Sequence, residues 1–269
     1  MRNLIKLSFV AAFLLGACNL PSARTPQPDE VATRVAEMLT IQPSEVTLPT
    51  QSAQITGAPS VTVTSPTQLP SLTPTLSAED PRKILGTSTW TDHFDGNPQF
   101  GVISDEHVRV EQGSNALHLT ALQADGWHSW TMASPELSDF YLEATVTTGV
   151  CSGRDRYGIF FRAPDPNQGY FLAFTCDGNY AIRKWDGTSF TDLLQSSSPS
   201  GSINAGSNQT NRIGIRAADQ IFTIFANGTK IGEVTDSSYK SGGFGLMIAS
   251  YVTPNFTVNI SEVSYWKMQ

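Results

Sequence analysis

From Ile84 onward the chain is cut into short apolar or alternating runs separated by Gly, Asn, Asp and Pro, and this pattern limits the fold more than any other feature. The runs are HVRVEQ, NALHLTAL, HSWTMA, DFYLEATVTT, RYGIFFRA, GYFLAFTC, NYAIRKW, NRIGIRAA, QIFTIFA, KIGEVTD, GGFGLMIAS and FTVNISEVSYWKM. Closely spaced alternating runs with no convincing helical period among them predict an all-β, antiparallel sandwich. In DFYLEATVTT, Phe140, Leu142, Ala144 and Val146 fall on one face and Tyr141, Glu143, Thr145 and Thr147 on the other, the pattern of a strand with one buried side. Asn227-Gly228 lies between two such runs, and Asn-Gly is the preferred pair for a type I′ turn because both positions need positive φ.

The N-terminus reads as an export signal. Arg2 and Lys6 precede an apolar stretch from Leu7 to Leu15 that is too short to span a bilayer. Leu15-Gly16-Ala17-Cys18 then resembles a bacterial lipobox, in which cleavage before the cysteine leaves its thiol to carry diacylglycerol. Residues 1–17 are therefore expected to be a lipoprotein signal peptide, and Cys18 a lipidation site that fixes the chain to the outer side of a bacterial membrane, at the cell surface or in the periplasm. Loss of Arg2 and Lys6 takes the formal charge from -7 to -9. That acidic balance, with no basic cluster, excludes the electrostatic footprint of a nucleic-acid-binding protein. Residues 18–83 form a Ser/Thr/Pro-rich tract that cannot bury enough apolar surface to fold alone and is expected to act as a stalk. Within it, PDEVATRVAEMLT places Val31, Val35, Met38 and Leu39 at helical spacing, a short helix near 29–40 that either lies on the membrane or a partner or stays nascent.

With Cys18 assigned to lipid, Cys151 and Cys176 remain, and an even pair in an oxidising compartment predicts a disulfide. Cys176 adjoins Asp177-Gly178 in the hairpin YFLAFTCDGNYAIRKWDG. A two-residue Asp177-Gly178 turn would set Cys176 opposite Asn179 and put Tyr170, Leu172 and Phe174 on one face with Ala181, Arg183 and Trp185; a one-residue slip would exchange the faces.

The run NRIGIRAADQIFTIFANGTKIGEVTDSSYKSGGFGLMIAS, with the closing VSYW, resembles the C-terminal half of concanavalin A-like lectin/glucanase domains, laminin G-like modules and the 3-keto-disaccharide hydrolase-like family among them. DFYLEATV and YGIFFRAPDPNQGYFLAF are similar to earlier strands of that fold, so the resemblance implies a concanavalin A-like jelly roll over residues 84–269. It also brings a test for chemistry. The laminarinase-type glucanases of this fold carry three alternating acidic residues on one strand, and here DFYLEATV offers only Asp139 and Glu143 with Tyr141 between them. No catalytic residue is assigned; Glu143 is a weak candidate for a lone acid or base in a sugar hydrolase or lyase, against its simpler reading as a strand carboxylate. Laminin G-like domains often hold calcium, which makes calcium the cofactor the resemblance would bring, but DHFDGN and DRYG lack a dense oxygen-ligand loop. His93, His107, His118 and His128 show no metal-ligand spacing.

A sugar-binding face is the remaining reading, because sugars are held by aromatic faces and bidentate polar groups. Tyr141, Glu143, Arg162, Arg183 and Trp185 are the candidates, with Tyr170, Trp127 and Trp130 as further rings. Arg183 and Trp185 suit either a sugar floor or an ordinary stacked surface pair. The expected function is a surface-anchored, non-catalytic sandwich that binds polysaccharide or oligosaccharide. The alternatives are the sugar hydrolase, which needs Glu143 in a groove beside Arg162 and Trp185, and a protein-protein module of the envelope.

Overall fold

The structure, a computed structural model, describes residues 79–113, 115–194 and 200–268. The chain divides into a unit of residues 1–68 and one of residues 69–269. The signal peptide, Cys18, the stalk as far as residue 78 and the helix expected near 29–40 lie outside the described residues.

The described part opens with α1 (Pro81–Leu85) and continues as β1 (Trp90–Asp92), β2 (Ile103–Ser104), β3 (Val108–Gly113), β4 (Ala116–Ala121), β5 (Ser129–Leu137), β6 (Phe140–Thr148), β7 (Arg156–Asp165) and β8 (Gln168–Thr175). Then come β9 (Tyr180–Trp185), β10 (Phe190–Leu194), β11 (Thr210–Ala218), β12 (Ile221–Ala226), β13 (Thr229–Thr235), β14 (Gly242–Ala249) and β15 (Phe256–Lys267). They form two antiparallel sheets. The larger runs β13-β12-β11-β6-β15-β4-β3-β2, with β1 pairing β15, and the smaller runs β10-β9-β8-β7-β14-β5. Each run read as a strand in the sequence is one, and β1, β2 and β10 are added to them.

The two inner faces meet in one core. Phe140, Leu142, Ala144 and Val146 of β6 enter it, as the alternation predicts, opposite Tyr157, Ile159 and Phe161 of β7 and Tyr170, Leu172 and Phe174 of β8. Burial of so many large side chains at roughly 25 cal/mol per Å² of apolar surface is the main force holding the sheets face to face. Asn227 and Gly228, at φ 52° and 82°, close β12 onto β13 with Ala226 opposite Thr229, the expected type I′ turn.

The β8–β9 hairpin takes the other register. Phe174 pairs with Tyr180, Leu172 with Ile182 and Phe171 with Arg183. The loop has three residues, Cys176 to Gly178, between Thr175 and Asn179: Thr175 N donates to Asn179 O at 2.9 Å, Gly178 N donates to Thr175 O at 3.0 Å, and Gly178 takes the left-handed conformation at φ 82°. This is the three-residue loop with a left-handed residue before the second strand, for which an Asp-Gly sequence is equally suited. Two further contacts favour it. Asn179 N donates to Thr175 Oγ1 at 3.0 Å, and Cys176 is bonded to Cys151 while its N–H donates to Asp155 O at 2.8 Å. Tyr170, Leu172 and Phe174 therefore face the core with Tyr180 and Ile182, whereas Phe171, Arg183 and Trp185 face outward.

Candidate functional site

The slip decides what the outer face of the smaller sheet carries. Across its strands, period-two alternation places Trp130 and Met132 of β5, Met247 of β14, Phe160 of β7, Phe171 and Ala173 of β8, Trp185 of β9 and Phe190 of β10 in one layer. Phe160 and Phe171 stack at 4.3 Å between centroids and are fully covered; Trp130 packs edge-on to Phe171 at 5.3 Å, and Trp185 lies 4.5 Å from Phe190. A rigid apolar floor thus carries an upper tier of partly open rings. Trp130 is held by its indole N–H, which donates to Pro166 O at 3.0 Å. Among the upper rings lies a cavity of about 220 Å³ lined by Gly126, Trp127, His128, Trp130, Trp185 and Phe190. Trp127 is 56% exposed and stacks on His107 at 4.2 Å, so it forms an outer wall. Gly126 is required at φ 80°, and an added Cβ would come within 2.7 Å of the Tyr251 ring.

Polar groups rim this layer. Arg183 lies opposite Asp192 of β10, donates to its carboxylate from Nε at 2.7 Å and sits 4.2 Å over the Phe190 ring. Arg156, at the start of β7, and Arg154 lie 4.6 and 5.1 Å from the centroid of the Tyr251 ring. His128 has its pKa lowered to about 4, first by burial and then by the charges of Arg156 and Arg183, so it is neutral at physiological pH and presents an uncharged ring beside Phe190, 4.8 Å away. An arrangement of flat rings around a shallow cavity, edged by planar guanidinium groups, can stack on the C–H faces of sugar rings and hydrogen-bond their oxygens.

Tyr141 and Glu143 are elsewhere. Both project from the outer face of the larger sheet, where β6 lies between β11 and β15, and there α1 covers them. Glu143 is 1% exposed. It accepts from Tyr141 Oη at 2.6 Å; Arg82 Nη2 approaches its Oε1 at 2.5 Å and Arg212 Nε at 3.8 Å. Arg212 also binds Asp80, which caps α1 by accepting from Arg82 N at 3.0 Å, and Arg82 also binds Glu262. Burial pushes the Glu143 carboxyl above the ordinary range, against the pull of Arg82, Arg212 and the Tyr141 hydroxyl. In this arrangement Glu143 has no open path to a substrate. Asp80 and Pro81, in the tract read from composition as stalk, are buried here.

Arg162 belongs to neither outer face. It sits at φ 45° where the β7–β8 register shifts, and its buried guanidinium reaches across one end of the sandwich. There it donates to Ser138 O at 2.8 Å, Asp219 O at 2.5 Å and Asp139 Oδ1 at 2.9 Å, with Phe222 5.3 Å away. It forms one wall of a cavity of about 640 Å³ with Ser138, Asp139, Asp219, Gln220, Ser237 and Lys240. So the structure brings Arg183 and Trp185 together with Trp127 and Trp130, and separates them by the thickness of the core from Tyr141 and Glu143. The hydrolase geometry, with Glu143 beside Arg162 and Trp185, is not present. Sequence reading missed His128, Phe190, Arg156 and Tyr251; the signal for Phe190 was its place one hairpin turn beyond Trp185 in WDGTSF. Among the described residues no three His, Cys, Asp or Glu side chains gather as a metal ion would require.

No protein-family model matches the chain, and no curated protein matches it in sequence. Solved structures resemble it in fold. The GH43 protein BlXynB of Bacillus licheniformis superposes with a TM-score of 0.50 at 9% identity, over 66% of this chain and 39% of that one. The shared architecture is an all-β sandwich of two antiparallel sheets. The carbohydrate binding module CBM66 of Bacillus subtilis is similar at a TM-score of 0.46 and 19% identity, over 56% of this chain and 86% of its own. A Bacillus subtilis protein of unknown function with a galectin-like fold gives 0.47 and 14%, over 68% and 96%. At these identities the likeness is one of architecture, and the function of this sandwich has to be argued from its own residues.

Proposed function

We propose that this chain is a lipoprotein, anchored through lipid on Cys18 to the outer side of a bacterial membrane, that displays a glycan-binding sandwich whose site is the aromatic face of the smaller sheet. The observation that carries the reading is the tier of Trp127, Trp130, Trp185 and Phe190 around an open cavity, mounted on the stacked and buried Phe160–Phe171 pair. Aromatic side chains exposed in a group, on a floor that holds them still, lower the entropy lost on binding a flat ligand. Burial of Glu143 under α1, on the opposite sheet, favours binding over hydrolysis.

The test is binding of the full-length protein to a panel of polysaccharides, with Trp185→Ala as the site variant. Loss of one stacked ring, worth about 0.5–1.5 kcal/mol beyond its area, corresponds to a roughly 2- to 12-fold weaker Kd. No binding across the panel, or binding that Trp185→Ala leaves unchanged, would overturn the reading. The anchor is tested separately: Cys18→Ser should move the protein from the detergent to the aqueous phase on detergent partitioning, and retention in the detergent phase would refute lipidation at that residue.

A further inference from the structure

The aromatic face is not evenly polar along its length. Although the whole chain carries a formal charge of -7, three guanidinium groups come together on this face, from the turn before β7, the start of β7 and the middle of β9, and the charge of Arg183 acts on Arg156. Arg154 and Arg156 flank the Tyr251 ring, and Arg183 lies over Phe190. Nearby carboxylates are already engaged: Asp192 is bound to Arg183, and Asp177, in the β8–β9 loop, accepts from the hydroxyl of Thr175, which pairs with Arg156. Asp155 lies between the two other arginines in sequence but turns inward, where its oxygens accept from the amides of Ser152, Tyr251 and Val252 and from the Ser250 hydroxyl. Asp125, just before β5 and so at the same end of the sheet as Arg156, accepts from Trp127 N at 2.9 Å and lies 3.8 Å from His107. The Nε of Arg156 is buried and makes no hydrogen bond, and burial together with the charges of Arg183 and Arg154 lowers the stability of its cationic form. A buried guanidinium donor left unpartnered, beside two more arginines, costs folding free energy that an anionic ligand would recover.

Resting on the reading of this face as a glycan site, we propose that its ligand is an anionic glycan, with a carboxylate or sulfate group seated between Arg156 and Arg183 and the adjoining sugar ring stacked toward Phe190 and Trp185. A planar guanidinium presents paired N–H donors that match the oxygens of either group. The anion thereby gives a counter-charge to Arg156, which forms no ion pair among the described residues and whose Nε makes no hydrogen bond.

The experiment titrates the full-length protein with a polyuronate, a sulfated polysaccharide and a neutral polysaccharide of similar length, at two salt concentrations. At least one of the two anionic arms should bind about tenfold or more tightly than the neutral arm, the worth of a charge-assisted hydrogen bond, and which one binds identifies the group. Arg156→Gln should remove that preference while leaving the thermal midpoint unchanged or raised, because it relieves a buried unpartnered donor. Lys230→Gln, the same charge change on β13 of the other sheet, should leave binding as it was. Neutral and anionic arms bound equally, or Arg156→Gln without effect on a binding that Trp185→Ala weakens, would overturn the anionic ligand and leave the glycan site standing. An equal loss with Lys230→Gln would overturn it as unspecific attraction. Absence of binding in every arm would remove both readings together.

Discussion

The cluster under α1 makes a prediction that charge counting sharpens. Three carboxylates, Asp80, Glu143 and Glu262, share two guanidinium groups, Arg82 and Arg212, and Asp80 and Glu143 are almost wholly buried. Arg212→Met leaves those two buried carboxylates with Arg82 alone, which Glu262 already engages. Removing one partner of a buried ion pair costs about 3–5 kcal/mol, and at about 2–4 °C per kcal/mol for a domain of this size the melting temperature should fall by ~6–20 °C. Glu143→Gln does the reverse: it brings the cluster to two against two, with Arg212 on Asp80 and Arg82 on Glu262, and the amide can still meet the Tyr141 hydroxyl. Its cost should stay within about 1 kcal/mol, the worth of an ordinary buried hydrogen bond. The pH dependence follows in sign. Because the folded Glu143 carboxyl titrates above its unfolded value, its contribution is fully present below the unfolded pKa and is lost as pH rises through the folded one; the Gln variant should lack that decline. Thermal unfolding of both variants from pH 4 to 8 is the assay. Equal destabilisation by the two substitutions, or Arg212→Met within 1 kcal/mol of wild type, would refute the account of an overcharged buried cluster.

Other consequences are simpler. Replacing Cys151 and Cys176 together by Ala opens a loop whose ends are 25 residues apart, and the chain-entropy relation gives a loss of about 3–4 kcal/mol, read as a lower denaturant midpoint; an unchanged midpoint would show that the bond adds nothing to the three-residue hairpin loop. Gly228→Ala forces an L-residue to φ 82° and sets its Cβ 2.2 Å from an Asp80 carboxylate oxygen, so it should destabilise by more than the ~1 kcal/mol of a left-handed turn glycine alone, checked by the melting temperature beside that of Gly201→Ala, whose Cβ meets nothing within 4 Å. His128, held neutral with a pKa of about 4, supports stability that is fully present above its unfolded pKa of about 6.5 and is lost as pH falls through the folded value, on the order of 3 kcal/mol in all; His128→Phe should flatten that acid slope, and an unaltered slope would show that the imidazole is not the group responsible.

The fold was legible because alternation survives in nearly every strand. Phe140, Leu142, Ala144 and Val146 announce their face unaided, and Asn227-Gly228 announces its turn. What alternation does not carry is which partner covers the other face. Glu143 reads as a solvated strand carboxylate, yet Asp80 and Arg82 arrive over it from a five-residue helix too short to show a period, and the Arg212–Asp80 pair joins positions 132 residues apart. The hairpin shows a second limit. Asp-Gly suits both a two- and a three-residue loop, and the choice rests on a local bond to Thr175 Oγ1 and on the bond from Cys176 to Cys151, a tertiary fact. Arg183 and Trp185 were visible as candidates. Phe190 and Arg156, which make them a site, stand on strands whose neighbours only the sheet order reveals.

That sheet order also keeps two surfaces apart. α1 is fastened to the outer face of the larger sheet, its Leu85 against Tyr141, Phe225 and Trp266. The aromatic face is the outer surface of the other sheet, with the whole core between. The first described residues therefore cover one outer surface, and the arginine-edged rings occupy the other. Leu85, Arg82 and Asp80 seal the first of these surfaces, and the cavity beside Trp127 lies on the second. The overcharged ionic cluster belongs to the first surface. Its carboxylates draw in Arg82 and Arg212, so that Glu143, a strand carboxylate in the sequence, serves to hold α1 against β6.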